Sequence, residues 1–268
     1  ALEFSGTGDI LVTGTGIYSN STDSDNSIVF TGSSNSVFSD SVSSAGFINY
    51  NSDRVTNEDG TPFTSFDAGA EQLGEMWVPT PDCSNTPNGG TYTSSGVLHY
   101  RPGKYTSGIH INGHGDYAFD KGFYCIYNGF TTKNGTFNSY PGYDNEENQV
   151  TFYVATGNVD LAGVVDFRAP RDYTVKDSGG ENWNGMLLYV ETGVLKINGN
   201  ADSYYEGTIY VPDDDITPAC TLNGNSSSEG FNMQLVCDTI QVNGGGELII
   251  HFDNTVSYIP PVEIDLWE

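Results

Sequence analysis

Positive charge is scarce in this 268-residue chain: Lys and Arg total 9 against 35 Asp and Glu, a formal net charge of -26. A field of that sign repels phosphate backbones and anionic lipid heads, so no nucleic-acid or membrane-surface partner is expected. The acidity fits a protein kept soluble outside the cell or in salty water, and its clustered carboxylates leave Ca²⁺ as the one cofactor to consider. Helical periodicity is lacking as well. No window of a dozen residues free of Gly, Pro and Asn places apolar residues at i, i+3, i+4 and i+7. There is no 18-residue apolar run, so no membrane insertion by this segment is expected. The chain starts at Ala1 with neither Met nor a signal peptide, which points to a mature secreted form or a fragment of an anchored protein. The four cysteines lack C-x-x-C spacing, which removes the usual zinc and thioredoxin-like signatures.

What the chain does have is short β-branched and aromatic runs. "DILVTG", "SIVFTG", "FYCIY", "VTFYVA", "GMLLYVE" and "ELIIHF" are each closed by, or set beside, Gly, Asn, Asp or Pro, and they read as strands. Apolar residues are only 37% of the chain, yet aromatics are 13%, enough to bury large areas in an ordered core. The runs echo one another. "PGKY" (102–105) returns nineteen positions later as "KGFY" (121–124), and Asn-Gly closes runs at 112–113, 198–199, 223–224 and 243–244. Such spacings, of about one coil per 20 to 25 residues, match a β-solenoid, whereas a sandwich would need paired hairpins. Asn-Gly suits a tight corner because both residues tolerate positive φ, and stacked Asn side chains can hydrogen-bond along the ladder. Read instead as hairpin turns, the same dipeptides would give an antiparallel meander.

The expected fold is therefore all-β, a single-domain parallel β-helix over 1–268. It comprises N-terminal coils (1–50), a long decorating loop (51–96), main coils (97–258) and a terminal strand (259–268). An even cysteine count points to disulfides in an oxidising compartment. Of the three possible connectivities, coil stacking favours Cys220–Cys237, each just before a run ending in Asn-Gly, together with Cys83–Cys125, which would staple the Pro-rich "WVPTPDC" to the "GFYCIY" strand.

Catalytic signatures such as G-x-S-x-G, H-E-x-x-H and a P-loop are absent. One hint of an enzyme is "INGHGDY" (111–117): Gly113-His114-Gly115 resembles the Gly-His-Gly of pectin-degrading polygalacturonases, which are β-helices. In that family paired aspartates precede the motif and a basic segment follows it. Here Asp213, Asp214 and Asp215 come a hundred residues later and no basic segment follows. The same three carboxylates are the candidate Ca²⁺ ligands, although EF-hand spacing is missing. The two chain ends carry the candidate assembly strands. "PPVEIDLWE" alternates Val262, Ile264 and Leu266 with Glu263 and Asp265 before Trp267, and "ALEF" begins with Leu2 and Phe4. Each is expected either to cap its own chain or to pair with a neighbouring copy, giving a homo-oligomer or head-to-tail filament.

"GTGIYSNSTDSDNSIVFTGSSNSV" (14–37), "LGEMWVPTPDC" (73–83), "YRPGKYTSGIHI" (100–111), "KGFYCI", "VTFYV", "GTIYVP" and "IQVNGGGELIIHFD" (240–253) follow in an order that resembles the extracellular C-terminal region of bacterial TadE/TadG-like pilus-assembly proteins. That resemblance implies a non-catalytic, extracellular or cell-surface protein: an appendage or filament subunit, or an adhesin-like β-helix. The alternative is a carbohydrate-active enzyme, a polysaccharide hydrolase or lyase, or a glycan-binding module on the same fold. An enzyme needs a groove with converging carboxylates, and a glycan-binding module needs a row of exposed Tyr or Trp.

Overall fold

The computed structural model describes residues 1–5, 9–14, 16–31, 37–39, 41–50, 61, 64, 66–72, 76, 78–140, 149–172, 174–200, 202–212, 218–224, 231–243 and 248–259. Among them the protein is all-β, with no helix. One nine-stranded sheet is parallel throughout, in the order Ile109–Asn112, Phe130–Lys133, Val159–Leu161, Leu195–Gly199, Cys220–Gly224, Ile240–Asn243, Leu2–Phe4, Ile28–Phe30 and Ile48–Asn49. A second sheet runs out through Gly103–Tyr105, Gly122–Ile126, Val150–Val154 and Met186–Val190 to the eight-residue strand Tyr204–Val211. It returns through Val164–Arg168, Thr136–Tyr140, Asp116–Asp120, Val97–Arg101 and the antiparallel Gly90–Ser94. Tyr204–Val211 makes this turn by laddering with Val164–Arg168 through its first residues and with Met186–Val190 through its last. The sheet thus folds back on itself as a nearly closed, barrel-like wall. It continues from Tyr204–Val211 through Phe231–Cys237, Leu248–His251, Ile10–Thr13 and Val37–Ser39. A third, small sheet holds Ile17–Ser19, Val42–Ser44 and Phe66–Ala68.

Strand length and alternation explain these elements. In Ile109–Asn112 the two isoleucines are buried while His110 and Asn112 face water, the period-2 pattern of a sheet wetted on one side. Ladder pairing in register then sets like beside like. Phe4 lies opposite Phe30 with ring centroids 4.8 Å apart, and Tyr117 opposite Phe137 at 5.1 Å. Ser139, beside Phe119 in the ladder, is small enough for Phe119 to reach Phe167 edge-on at 5.3 Å. Phe119, Phe130, Phe152 and Phe167 form one aromatic cluster in the main core.

Val150–Val154 and Met186–Val190 are buried at every residue, so these strands have apolar neighbours on both faces. Their inward side joins the main core. Their outward side, with Phe123, Cys125, Tyr153 and Tyr189, is roofed by Val78, Val175, Trp183 and Tyr258. Cys83–Cys125 staples that roof to the wall, and Asp177 accepts the backbone N–H of Asp82 (2.8 Å) and of Glu181 (3.0 Å), tying the two roofing segments together. Arg171 adds a clamp, donating 2.9 and 2.7 Å bonds to the carboxylate of Glu206, which is 2% exposed.

Several expectations change in detail. Both expected disulfides form, but Cys220 stands in register with Ile240, so Cys220–Cys237 links the start of one strand to the far end of the next rather than two equivalent positions. The segment 51–96 is not all loop: Phe66–Ala68 and Gly90–Ser94 are strands in it. The "PGKY"/"KGFY" echo is two residues out of step with the ladder, where Gly103 pairs with Tyr124. What the echoed glycines share is a corner: Gly103 and Gly122 have φ of 145° and 146°, and a Cβ on Gly122 would lie 2.7 Å from Pro102. Left-handed asparagines are Asn128 and Asn134; Asn198 and Asn223 keep the strand conformation, so there the dipeptide is not a positive-φ corner.

Burial holds the phenols of Tyr105, Tyr189, Tyr204 and Tyr258 up at about 12. A phenol in the unfolded chain ionises near 10, so the unfolded state sheds these protons first as pH rises. Their contribution to stability is complete below about pH 10 and is lost between there and about 12. Phenolate absorbance should therefore lag simple tyrosine ionisation and rise together with loss of β-sheet circular dichroism.

Candidate functional site

The asparagines that end successive strands of the nine-stranded sheet form a side-chain ladder. Register sets Asn198 beside Asn223 and Asn223 beside Asn243. Asn243 Nδ2 donates to Asn223 Oδ1 (3.2 Å), Asn223 Nδ2 to Asn198 Oδ1 (3.2 Å), and Asn198 Nδ2 to Asp160 (2.7 Å). The hydroxyl of Ser5 donates to Asn243 at one end, and Lys133 pairs with Asp160 at the other (3.1 Å). Asn134 donates separately to Asn112 (3.1 Å).

Beside the Lys133 end of this ladder lies an open corner groove of about 610 Å³, with His114, Asp116, Lys133, Asn134 and Asn200 on its walls. Glycine lets the corners stack here: Gly163 has φ of 97°, and a Cβ on it would meet the Gly135 carbonyl at 2.6 Å. The backbone of Gly115 accepts from Thr136 (2.9 Å), so the Gly-His-Gly sequence serves the corner. His114 and Asp116 are exposed, and Asp116 is the one carboxylate of the lining. Among the described residues the groove offers a cation, amides and a single acid, without a converging second carboxylate.

A second feature lies where the two ends of the chain meet. Leu2–Phe4 pairs with Ile240–Asn243 on one edge and Ile28–Phe30 on the other, and Ile10–Thr13 pairs with Leu248–His251. Leu2 and Phe4 are buried in the main core. Of the two alternatives expected for this end, the pairing is the self-capping one: both edges of Leu2–Phe4 are filled by the chain itself. After Leu248–His251 the chain runs to Tyr258, which stacks on Trp183 (5.8 Å) with its N–H on the Thr208 hydroxyl (2.8 Å). No strand of the described chain lies between Gln234–Cys237 and Ile17–Ser19. A slot opens there into an apolar cavity of about 500 Å³, lined by Leu2, Phe4, Ile17, Leu222, Met233 and Leu235, among others.

Val262, Ile264, Leu266, Trp267 and the trio Asp213, Asp214 and Asp215 lie outside the described residues. Among the described residues no group of three or more His, Cys, Asp and Glu could hold a metal ion, and no helix is long and apolar enough to cross a membrane. Sequence reasoning missed the slot and the Arg171–Glu206 clamp. The slot had a signal: "ELIIHF" is followed by "DNTVSYIPP" where the earlier repeats bring another apolar run. The clamp had none, because its partners are 35 residues apart. Comparison with protein-family models and with curated proteins finds no match to this chain.

Asn223 donates to one ladder neighbour and accepts from the other, so Asn223→Ala removes two bonds and strands two half-buried amides. The expected loss is about 1–3 kcal/mol in urea unfolding, with Asn134→Ala, whose bond lies outside the ladder, costing less.

Proposed function

We propose that this protein is a non-catalytic, extracellular structural protein built as a parallel β-helix, serving as a subunit or adhesin-like element of a cell-surface appendage. The observation that carries the architecture is the threefold ladder. Asp116–Asp120, Gly122–Ile126 and Phe130–Lys133 each pair in parallel with the corresponding strand of the next repeat, Thr136–Tyr140, Val150–Val154 and Val159–Leu161. The phrases resembling TadE/TadG-like proteins, the two disulfides and the acidity all agree with a surface location. A β-helix is modular, so a whole repeat is removable. Joining Gly135 to Val164 by deleting 136–163 puts three strands in register with the three left behind, and the variant should fold with a cooperative transition. A closed barrel would lose a wall and unfold; circular dichroism separates the two.

Support for an assembly role comes from the unequal ends. One end is covered over Val97–Arg101 by antiparallel Gly90–Ser94 and over Gly103–Tyr105 by the backbone of Pro87 and Gly89 bonded to Lys104, with Ile109–Asn112 left as the edge of its sheet among the described residues. The other end, at Ile48–Asn49 and Phe66–Ala68, presents Phe47 and Tyr50, 49% and 40% exposed, with Tyr50 stacked on Phe66 (4.0 Å). Uncovered sheet edges beside exposed aromatics are where another copy would stack. Charge favours head-to-tail order: Arg101, Lys104, Lys121 and Lys133 crowd the covered end, while Arg54 is the single basic residue of 1–72. Phe47→Glu with Tyr50→Glu should abolish concentration-dependent growth in light scattering and micrographs. Unchanged filaments, or a native chain monomeric at all concentrations, would remove the filament role. The glycan-binding alternative finds less support, since Trp183 is fully buried and no row of exposed Tyr or Trp runs along a face of the described chain.

A further inference from the structure

We propose that Asn134–Gly135 is the chain's foremost site of spontaneous modification, where the Asn134 carboxamide closes on the Gly135 nitrogen as a succinimide and opens to aspartate or isoaspartate. The step needs only water. The Gly135 nitrogen attacks Cγ of Asn134 and loses its proton, the carboxamide nitrogen leaves as ammonia, and water then cleaves either C–N bond of the imide. Glycine after asparagine favours the attack because no Cβ shields the nitrogen or restricts the turn it must make. Asn-Gly occurs eight times in the chain, so the dipeptide alone does not rank the sites. The fold does.

Ring closure needs a glycine nitrogen free to attack, a carboxamide free to turn and a backbone free to bend. The ladder withholds all three. Asn198–Gly199 and Asn223–Gly224 are paired with each other as strand residues, and their amide nitrogens are donated to Asp160 (2.7 Å) and to Asn198 (3.2 Å). Of the other sites, Gly244 lies outside the described residues. Four more engage the glycine N–H: Gly89 donates to Lys104 (2.9 Å), Gly113 to Lys133 (3.3 Å), Gly129 to Thr156 (2.9 Å) and Gly185 to Pro170 (2.6 Å). Gly135 differs. Its carbonyl accepts from Val164 (3.0 Å), and its N–H meets no acceptor among the described residues. Asn134 is exposed and has φ of 62°, a left-handed conformation that costs any residue with a Cβ. One bond, to Asn112 (3.1 Å), holds its carboxamide. The corner groove opens on both residues, so water reaches the imide. Stacking keeps the pair in place, since a Cβ on Gly135 would lie 2.8 Å from the Tyr117 ring and 3.0 Å from the Gly113 carbonyl. The corner thus demands a left-handed asparagine and a bare glycine, and together they make the reactive dipeptide. The product adds a second carboxylate to the groove wall that carries Asp116 and removes the amide donor to Asn112.

The test follows the folded chain and an Asn134→Gln variant in mildly alkaline buffer. Peptide mass spectrometry reads the one-dalton gain at each Asn-Gly, chromatography separates aspartate from isoaspartate, and circular dichroism confirms that both proteins stay native. Asn134 should convert first and give both products. It should run about tenfold or more ahead of Asn198 and Asn223, whose reaction waits on local opening. In urea, where neither corner nor ladder remains, the eight sites should converge. Asn134→Gln should lose the fast phase alone. A folded chain that converts another Asn-Gly first, or Asn134 no faster than the ladder pair, would overturn the proposal. So would aspartate as the sole product, which marks direct hydrolysis, or a ranking that persists in urea, which places the preference in the neighbouring residues.

Discussion

In a parallel stack each strand's backbone N–H and C=O groups point along the stack axis, so every strand needs a neighbour above and below. The rest of the molecule depends on this one requirement. It forces successive repeats into register, and register places Phe4 on Phe30 and Asn198, Asn223 and Asn243 in a line. It also makes ends and gaps the costly places. Gly90–Ser94 reverses direction to cover Val97–Arg101, and the Gly89 and Pro87 backbones meet Lys104, so two of the three faces at one end are covered without another parallel strand, while Ile109–Asn112 stays an edge among the described residues. At the opposite end among the described residues the edge is bare beside Phe47 and Tyr50.

A low apolar content suffices because the chain builds two thin cores around one wall. Each strand needs only two or three inward residues, and the second layer sets Val78, Val175, Trp183 and Tyr258 over Tyr153 and Tyr189 on the outer face of Val150–Val154 and Met186–Val190. The covering segments have little regular structure, so they depend on particular fasteners: the Cys83–Cys125 bridge, the backbone bonds to Asp177 and the Arg171–Glu206 pair. In a chain with nine cations, placing one against a nearly fully buried carboxylate argues for a local structural need. The hydrogen bonds to Glu206 hold the Arg171 guanidinium above its already high pKa.

The strands, their all-β class, the stacking asparagines and both disulfide pairs were legible because each is written locally, in a run, a closing Asn-Gly or a cysteine spacing. "VTFYV" and "MLLYV" also carry their two-sided burial openly, as runs without alternation. Spatial order was not legible. Leu2–Phe4 joins Ile240–Asn243 across 238 positions, and any short alternating strand offers the same backbone ladder, so nothing in "ALEF" names its partner. The "PGKY" echo misled for a related reason. It records two glycine corners with the same backbone demand, while the ladder is set by the side chains that follow and falls two residues later. His114 drew attention as chemistry, yet its flanking glycines are engaged through their backbones, Gly113 with Lys133 and Gly115 with Thr136.

The seam then has a consequence for assembly of the chain itself. Pairings within 97–258 join strands at most 38 positions apart, whereas those of Leu2–Phe4 and Ile10–Thr13 with the C-terminal repeats span 238. Closing so long a loop costs more entropy before any contact rewards it, so the body forms first and the N-terminal repeats dock onto its finished edge. That docking completes the seam on the two faces where Leu2–Phe4 and Ile10–Thr13 pair, and the apolar cavity opens beside it. An apolar surface of that kind is stable only when covered. Met76, whose carbonyl accepts from the Tyr210 hydroxyl, and Glu71, whose carbonyl accepts from Tyr18, bring the described chain to either side of the opening.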